Sequence, residues 1–315
     1  MTEQIVTLRN GAGHALHCIL HLPSKDVPRR DVACVLLSPG VKMRVAPHRL
    51  YRKLSRVFLR RGIAVLRVDF HGLGDSEGEL PETQLDQLYR QVQLGRHVDD
   101  TRAALDFCER ELGIRRLIVG GLCGGALTGL LAAERDERIA GLYAIGIPVI
   151  LDGTAQHAAA NMTRGQLQSL RGRYVRKLFD PAAWLRLLSL RTDLRLLVAS
   201  VFGARQRGRS GQRGALDGVP PPSTPPAANL NSAFVRAYFR MLVARRPVAL
   251  LFSGADRLHW EYQEKVAEPW ASALQAAPSQ PTIALIPNAN HILGDPVWVQ
   301  RALELTDEWL DLHFP

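Results

Sequence analysis

One glycine-rich stretch places a cysteine where a nucleophile would be exposed. Cys123 lies in a Gly-x-Cys-x-Gly pattern, with Gly121 and Gly125 two positions to either side. An apolar run at 117–119 precedes it and a helix-like run at 126–133 follows. A strand, a tight turn and a helix in this order form a nucleophile elbow, whose flanking residues must be small. We therefore interpret Cys123 as a nucleophile whose thiolate is stabilised by a helix N-terminus, rather than as a buried structural cysteine.

A thiol nucleophile needs a general base, and the base needs a group that orients it. In chains with this elbow the order is nucleophile, acid, histidine. Asp256 follows the apolar run 248–252, and His291 follows a predicted last strand at 282–286. Asp152 follows an earlier predicted strand and remains an alternative acid. The pattern predicts a triad in which the histidine accepts the thiol proton and the carboxylate fixes the ring.

The loop after the predicted third strand supplies a further part of such a site. The apolar run 33–37 ends in Ser-Pro-Gly-Val-Lys at 38–42. In this architecture that loop gives one backbone N–H of the oxyanion hole, and the residue after the nucleophile gives the other. We therefore predict that the N–H groups of Val41 and Gly124 bind the oxyanion formed when the thiolate attacks an acyl carbonyl.

Apolar strands and amphipathic helices alternate along most of the chain, which favours an α/β fold with a mostly parallel sheet covered by helices on both faces. The predicted strands are 5–8, 15–22, 33–37, 64–68, the elbow strand, 139–145, 247–252 and 282–286, and the predicted helices include 48–61, 87–112, 261–274 and 296–314.

This alternation stops near residue 151 and resumes at 247. We therefore predict a core formed by 1–150 and 247–315, with 151–246 inserted as a helical cap. Helix-like runs in the insertion include 231–245. Residues 205–228 are rich in Arg, Gly, Pro and Ser, a composition typical of a flexible loop.

The insertion also carries the excess positive charge of the chain. The whole chain has a net charge of +10, and 151–246 contains sixteen Lys and Arg against four acids. Charged helix faces are usually only solvated. The alternative is a basic amphipathic surface that contacts an anionic membrane or an acidic carrier protein. No nucleic-acid-binding motif accompanies the charge, so a nucleic-acid partner is not expected.

The four cysteines, Cys18, Cys34, Cys108 and Cys123, show neither metal-ligand spacing nor a disulfide framework. A reducing compartment follows from this usage. The N-terminal residues do not resemble a signal peptide, and no apolar run has the length of a transmembrane helix. We expect a cytoplasmic protein, peripheral at the membrane if the insertion binds there, with no metal and no cofactor. No pattern in the sequence sets an oligomeric state.

Several motifs together resemble the α/β-hydrolase superfamily in its serine-aminopeptidase-like branch. They are the elbow, Asp69-x-x-Gly72-x-Gly74-x-Ser76, Ser253-Gly254-Ala255-Asp256 and Asn290-His291. The resemblance covers both flanks of the insertion, about two-thirds of the chain. Residues 40–49 and 121–123 are also similar to the exosortase-associated hydrolases found with exopolysaccharide biosynthesis, which likewise carry Cys where most relatives carry Ser.

The resemblance implies a hydrolase with an inserted cap. Together with the cysteine, it favours cleavage of a small-molecule carboxylic ester or thioester through an acyl-cysteine, and it disfavours simple peptidase activity. An acyltransferase or cyclase acting on a carrier-bound acyl group is an alternative, since dienelactone hydrolases and cysteine-type polyketide cyclases also use Cys on this fold. A non-catalytic binding protein with a basic interaction surface is a further alternative.

Overall fold

One sheet of eight strands runs through the residues that the computed structural model describes, 2–151 and 218–315. The strands are β1 Thr2–Arg9, β2 Ala15–Leu22, β3 Ala33–Leu37, β4 Ala64–Val68, β5 Leu117–Leu122, β6 Ile139–Ile145, β7 Val248–Ser253 and β8 Thr282–Ile286. They lie in the order β1-β2-β4-β3-β5-β6-β7-β8. β1 and β2 pair antiparallel, β2 pairs antiparallel with β4, and the remaining pairs are parallel. The prediction of a mostly parallel sheet is confirmed.

Helices cover both faces of this sheet. Those described are α1 Leu50–Arg60, α2 Leu85–Gln93, α3 Val98–Leu112, α4 Gly124–Ala133, α5 Ser232–Val243, α6 Arg257–Tyr262, α7 Ala271–Ala276 and α8 Pro296–His313. α1 and α8 pack together on one face, while α3, α4 and α5 share the core of the other.

The alternating side chains of β3 show why the central strands are apolar throughout. Val35 and Leu37 contribute to the core under α3 and α4, and Cys34 and Leu36 contribute to the core under α1 and α8. Successive residues of a strand point to opposite faces, so a strand buried on both faces needs an unbroken apolar run.

The single helix predicted over 87–112 is wrong, because the structure has two helices there. α2 ends at Gln93 and α3 begins at Val98, and between them Gly95 has a φ of +96°. Glycine reaches this region without a steric penalty, so it lets the chain change direction. The break turns α2 over the carboxyl edge of the sheet, where it lines a cleft with residues that follow β5 and β7.

Two other predicted helices have different bounds. The helix predicted over 48–61 begins with a 3₁₀ turn at Pro47–Arg49 before α1. The helix predicted over 261–274 begins earlier, at α6, and is interrupted by a π-helical turn at Gln263–Ala267. An interruption of this kind is common near functional sites.

The two ends of the insertion meet beside the sheet. Ile150 and Leu230 form an antiparallel bridge, and the Leu151 N–H donates to the Asn229 carbonyl at 2.8 Å. The predicted helix over 231–245 is confirmed as α5, which packs against α4 in the layer that covers the sheet. The other predicted helices of the insertion, with residues 152–217, lie outside the described residues.

The described part of the predicted flexible loop, 218–228, contacts the helical segment that follows β7. The Ser223 N–H donates to the Pro269 carbonyl at 2.7 Å, and the Trp270 indole N–H donates to the Pro220 carbonyl at 2.9 Å. These bonds fix two points of 218–228 against the chain that leads into α7. Across 2–151 and 218–315, no helix is long and apolar enough to cross a membrane.

Candidate active site

The elbow between β5 and α4 holds Cys123 in a rare backbone conformation, with φ 55° and ψ −118°. Its neighbours must lack side chains. A Cβ atom on Gly121 would lie 2.9 Å from the Gly125 carbonyl carbon, and one on Gly125 would lie 2.4 Å from the Leu37 carbonyl oxygen. The thiol is partly buried and stands at the N-cap position of α4. The side chain therefore lies at the positive end of the α4 dipole.

Asp256 and His291, 35 residues apart, meet beside this elbow. The His291 Nδ1–H donates to the Asp256 Oδ2 at 2.6 Å. Asp256 follows β7 and is the N-cap of α6, where it also accepts the Leu258 N–H. The Asp256 side chain is 9 % exposed and that of His291 36 %. The carboxylate therefore fixes the tautomer of the ring and leaves Nε2 to face the thiol.

The environment of His291 favours its protonated form. Burial alone favours the neutral ring, but hydrogen bonds to Asp256 and Cys123, together with their negative charges, outweigh it and raise the pKa of His291 to about 10. The ring is then positive at neutral pH beside the Cys123 side chain.

A cleft of about 650 Å³ opens above these side chains. Its described lining combines the three residues and Gly124 with Pro148, Arg257 and Leu258, and with Leu85, Asp86, Tyr89, Val92 and Gln93 of α2. A cleft of this size suits a small molecule.

The wall that α2 forms along the cleft was not predicted, because the single helix predicted over 87–112 joins α2 to α3. Leu85, Tyr89 and Val92 are spaced four and three apart, which places them on one helix face. Gly95, just after them, was the sequence signal for the break.

The loop after β3 packs directly on the elbow. A Cβ atom on Gly124 would lie 2.8 Å from the Gly40 Cα. The Val41 N–H donates to the Pro39 carbonyl at 2.8 Å, so it points into its own loop. The Gly124 N–H lies in the first turn of α4, where N–H groups have no acceptor within the helix. Asp152, the alternative acid, lies outside the described residues.

Asp69, the first residue of the Asp69–Ser76 motif, anchors this loop through hydrogen bonds of its side chain. Its buried carboxylate accepts from the backbone N–H and the guanidinium of Arg44, and from the Ser38 hydroxyl at 3.2 Å. Arg44 also donates to Asp75 at 2.7 Å. The Ser76 hydroxyl donates to the Asp69 carbonyl at 2.8 Å. The motif thus supports the loop that faces the elbow.

The other three cysteines are fully buried. Burial raises the pKa of Cys18 and Cys34 well above the ordinary value and that of Cys108 to about 12. Among residues 2–151 and 218–315, no group of three His, Cys, Asp or Glu side chains could hold a metal ion.

No known family model matches the chain, and no curated protein matches its sequence. Solved structures match it over nearly its full length. An esterase from Pyrococcus furiosus aligns with a TM-score of 0.56 at 16% identity, covering 100% of this chain and 92% of the other. The esterase domain of a Rhodothermus marinus protein gives 0.53 at 18% identity and 100% of both chains. An α/β serine hydrolase without a lid from Xanthomonas campestris gives 0.52 at 15% identity, covering 99% and 95%.

The chain has the α/β-hydrolase fold. In this α/β-hydrolase fold Cys123 follows β5, Asp256 follows β7 and His291 follows β8. All three strands are parallel, so their carboxyl ends meet at one edge. Three residues far apart in sequence are thereby brought to one cleft.

Proposed function

We propose that this chain is a hydrolase that cleaves a carboxylic ester or thioester through an acyl-cysteine intermediate. One observation carries the proposal: the 2.6 Å bond from His291 to Asp256, with the elbow thiol in the same cleft. The esterases among the structural neighbours support the same reaction class.

Acylation starts with the proton already on His291, where Asp256 stabilises the imidazolium, and with Cys123 as the thiolate. The thiolate then attacks the carbonyl carbon and the carbonyl π electrons move to oxygen. When this tetrahedral intermediate collapses, the bond to the leaving group breaks and the leaving oxygen or sulfur takes the proton from His291. The products of this half-reaction are an alcohol or thiol and the Cys123 thioester.

Deacylation uses the same ring in the opposite direction. Once Cys123 is acylated its negative charge is gone, so part of what raises the pKa of His291 is removed. The ring then loses its proton more readily and acts as a general base toward water. Water gives a proton to His291 and attacks the thioester carbonyl. The bond to Cys123 then breaks, which releases the carboxylic acid and leaves Cys123 as a thiolate beside the protonated histidine.

The oxyanion of both steps is proposed to lie between the Gly124 N–H and the loop after β3. Gly124 already presents its N–H at the start of α4. The Val41 N–H now donates to Pro39, so binding an oxyanion there requires the peptide to turn. Loss of one such donor typically costs about 2.7–4 kcal/mol of transition-state stabilisation.

The cleft walls favour a substrate with an apolar acyl group. Leu85, Tyr89, Val92, Pro148 and Leu258 contribute much of the described lining. We further propose that the insertion at 151–246, apart from α5, which packs against α4, caps this cleft, with its basic surface directed to an anionic membrane or an acidic carrier protein. An acyl group delivered on a carrier would enter the same cysteine chemistry.

The test is intact-protein mass spectrometry after mixing with p-nitrophenyl esters and acyl thioesters of increasing chain length. Wild type should gain one acyl mass transiently, with turnover. Cys123→Ala and His291→Ala should gain none, and Asp256→Asn should turn over far more slowly because the ring loses its orienting charge. Cys108→Ala removes a buried cysteine away from the cleft and should behave as wild type.

The outcomes of this experiment distinguish hydrolysis through an acyl-cysteine from acyl transfer and from binding without catalysis. Turnover that persists in Cys123→Ala would contradict the acyl-cysteine mechanism. An adduct that is released to an added alcohol or amine but not to water would assign the chain to acyl transfer. If no donor acylates the wild-type protein, two options remain: a narrow substrate admitted by the cap, or a binding protein that retains an elbow.

Alkylation by iodoacetamide gives an independent readout of thiol activation. Faster reaction of Cys123 than of the other three cysteines would follow from their burial alone. The informative comparison is wild type with His291→Ala, in which Cys123 is equally accessible but lacks its base. We expect alkylation at neutral pH to slow in the variant, and equal rates would show that the thiol is not activated.

A further inference from the structure

Tyr51 connects the two segments that would form the oxyanion hole. It lies in the first turn of α1, and its side chain is fully buried. Its phenolic O–H donates to the Leu37 carbonyl at 2.7 Å, and its oxygen accepts the Leu122 N–H at 2.7 Å. Leu37 is the last residue of β3, just before the Ser38–Val41 loop, and Leu122 is the residue before Cys123.

The Tyr51 hydroxyl lies where the hydrogen-bond ladder between β3 and β5 ends. The last parallel pair of β3 and β5 is Leu37 with Gly121. One residue further on, a phenolic oxygen stands between the two strands, joined to one by its proton and to the other by its lone pair. The Tyr51 N–H also donates to the Val45 carbonyl at 3.4 Å, so the backbone of this residue contacts the segment that joins the Ser38–Val41 loop to α1.

The Leu37 carbonyl is also where α4 meets β3. A Cβ atom on Gly125 would come within 2.4 Å of that oxygen, so the first turn of α4 lies directly against it. The position of this carbonyl therefore sets the separation between the Gly124 N–H and the loop that begins at Ser38. Burial raises the pKa of Tyr51, so the hydroxyl remains a hydrogen-bond donor at any working pH.

We infer that Tyr51 is a positioning residue, which sets the distance between the Gly124 N–H and the loop after β3, the two sides between which the oxyanion is proposed to lie. This inference rests on the proposed acyl-cysteine function. An oxyanion exists only in the tetrahedral intermediate and its flanking transition states, so a misplaced donor lowers kcat and leaves KM nearly unchanged. Misplacement of a catalytic group by about 1 Å can cost up to about 100-fold in rate.

The test compares Tyr51→Phe with Tyr143→Phe. Both tyrosines are fully buried in the same core cluster. The Tyr143 hydroxyl contacts Ala302 and Thr306 of α8 instead of the elbow. Each variant loses one buried hydroxyl, and urea denaturation measures the loss of stability in each. Incorporation of 3-fluorotyrosine at position 51 keeps the hydroxyl and serves as the conservative variant.

Three quantities are measured with the ester that wild type prefers: kcat, KM and the rate of Cys123 alkylation by iodoacetamide. In Tyr51→Phe we expect kcat to fall between about tenfold and 100-fold, with KM and alkylation within about twofold of wild type, because alkylation forms no oxyanion. Tyr143→Phe and the 3-fluorotyrosine protein should keep all three values within about threefold, since neither removes the Tyr51 hydroxyl.

Two results would overturn the inference. One is a kcat in Tyr51→Phe equal to that of wild type. The other is loss of alkylation in step with turnover, which would mean that the hydroxyl only maintains the fold around the elbow. If wild type itself is never acylated, the proposed function fails and the role of Tyr51 fails with it. Acylation of wild type with an unaffected Tyr51→Phe variant overturns the role of Tyr51 alone.

Discussion

At the scale of single residues, the protonation of His291 depends on two neighbours from different parts of the chain. Its ring lies in a partly buried cleft, which by itself would lower its pKa. Interactions with Asp256 and Cys123 reverse that effect. The carboxyl group after β7 and the thiol of the elbow therefore raise the pKa of His291 only because the fold brings them beside its ring.

This coupling predicts how substitutions change the titration of His291. Cys123→Ser removes the thiolate charge and Asp256→Asn removes the carboxylate charge, while burial of the ring remains. In both variants the pKa of His291 should fall below the wild-type value of about 10. Imidazole ¹H–¹⁵N NMR spectra recorded across pH measure it, with His291→Gln used to assign the signal. An unchanged pKa in Cys123→Ser would show that the ring and the thiol are not coupled.

At the scale of elements, the site depends on how closely α4 approaches β3. Gly121, Gly124 and Gly125 allow backbone to meet backbone where any side chain would intrude. The same closeness brings the Ser38–Val41 loop against the first turn of α4. The elbow is therefore a packing arrangement of three elements as much as a turn in one segment.

Gly125→Ala tests this packing. The added methyl group would overlap the Leu37 and Ser38 carbonyl oxygens, at 2.4 and 2.5 Å. We expect the free energy of unfolding to fall by about 1–3 kcal/mol, as for an overpacked core, and Cys123 alkylation to change as α4 shifts. Urea denaturation measures the loss.

Gly11→Ala is the matched control, because a Cβ atom there meets nothing within 4 Å. Its stability should stay within about 0.5 kcal/mol of wild type. Equal effects of the two substitutions would show that the contact between the elbow and β3 is not tight.

At the scale of the whole molecule, two histidines make the stability depend on pH in opposite directions. His21 is fully buried; burial, then the charge of Arg67, lowers its pKa from 6.5 to about 4. The unfolded chain then binds the proton first as the pH falls, so stability decreases from pH 6.5 toward pH 4. For His291 the folded pKa is raised, so its contribution is complete below pH 6.5 and is lost as the pH rises through about 10.

The variants His21→Gln and His291→Gln separate these two effects. The stability difference between wild type and His21→Gln should shrink as the pH falls below 6.5. For His291→Gln the difference should shrink as the pH rises from 6.5 toward 10. Free energies of unfolding in urea across this range measure both slopes. Parallel stability curves for wild type and either variant would contradict the corresponding prediction.

Much of this molecule was determined by local sequence. The strands at 15–22, 33–37, 64–68, 139–145 and 282–286 were predicted with the bounds that the structure has, because short apolar runs between turns indicate strands. The elbow was predicted from Gly121 and Gly125, because the tight turn around Cys123 leaves no room for side chains at these two positions. The order of Cys123, Asp256 and His291 followed from strand ends. The spacing of buried residues along a strand and the residue preferences of a turn are set within a few neighbouring positions, so a single sequence shows them.

Tertiary structure decided which of these residues meet. The sequence left Asp152 as an alternative acid, and only packing shows Asp256 bonded to His291 at 2.6 Å. The sequence also predicted that the Val41 N–H binds the oxyanion. In the structure this N–H donates to the Pro39 carbonyl instead. The wall formed by α2 depends on a chain reversal at Gly95, and the position of the Tyr51 hydroxyl depends on how α1 packs across two strand ends. Such contacts join elements that are distant in sequence, and their geometry is set by how helices and strands fill the core together, which no local pattern encodes.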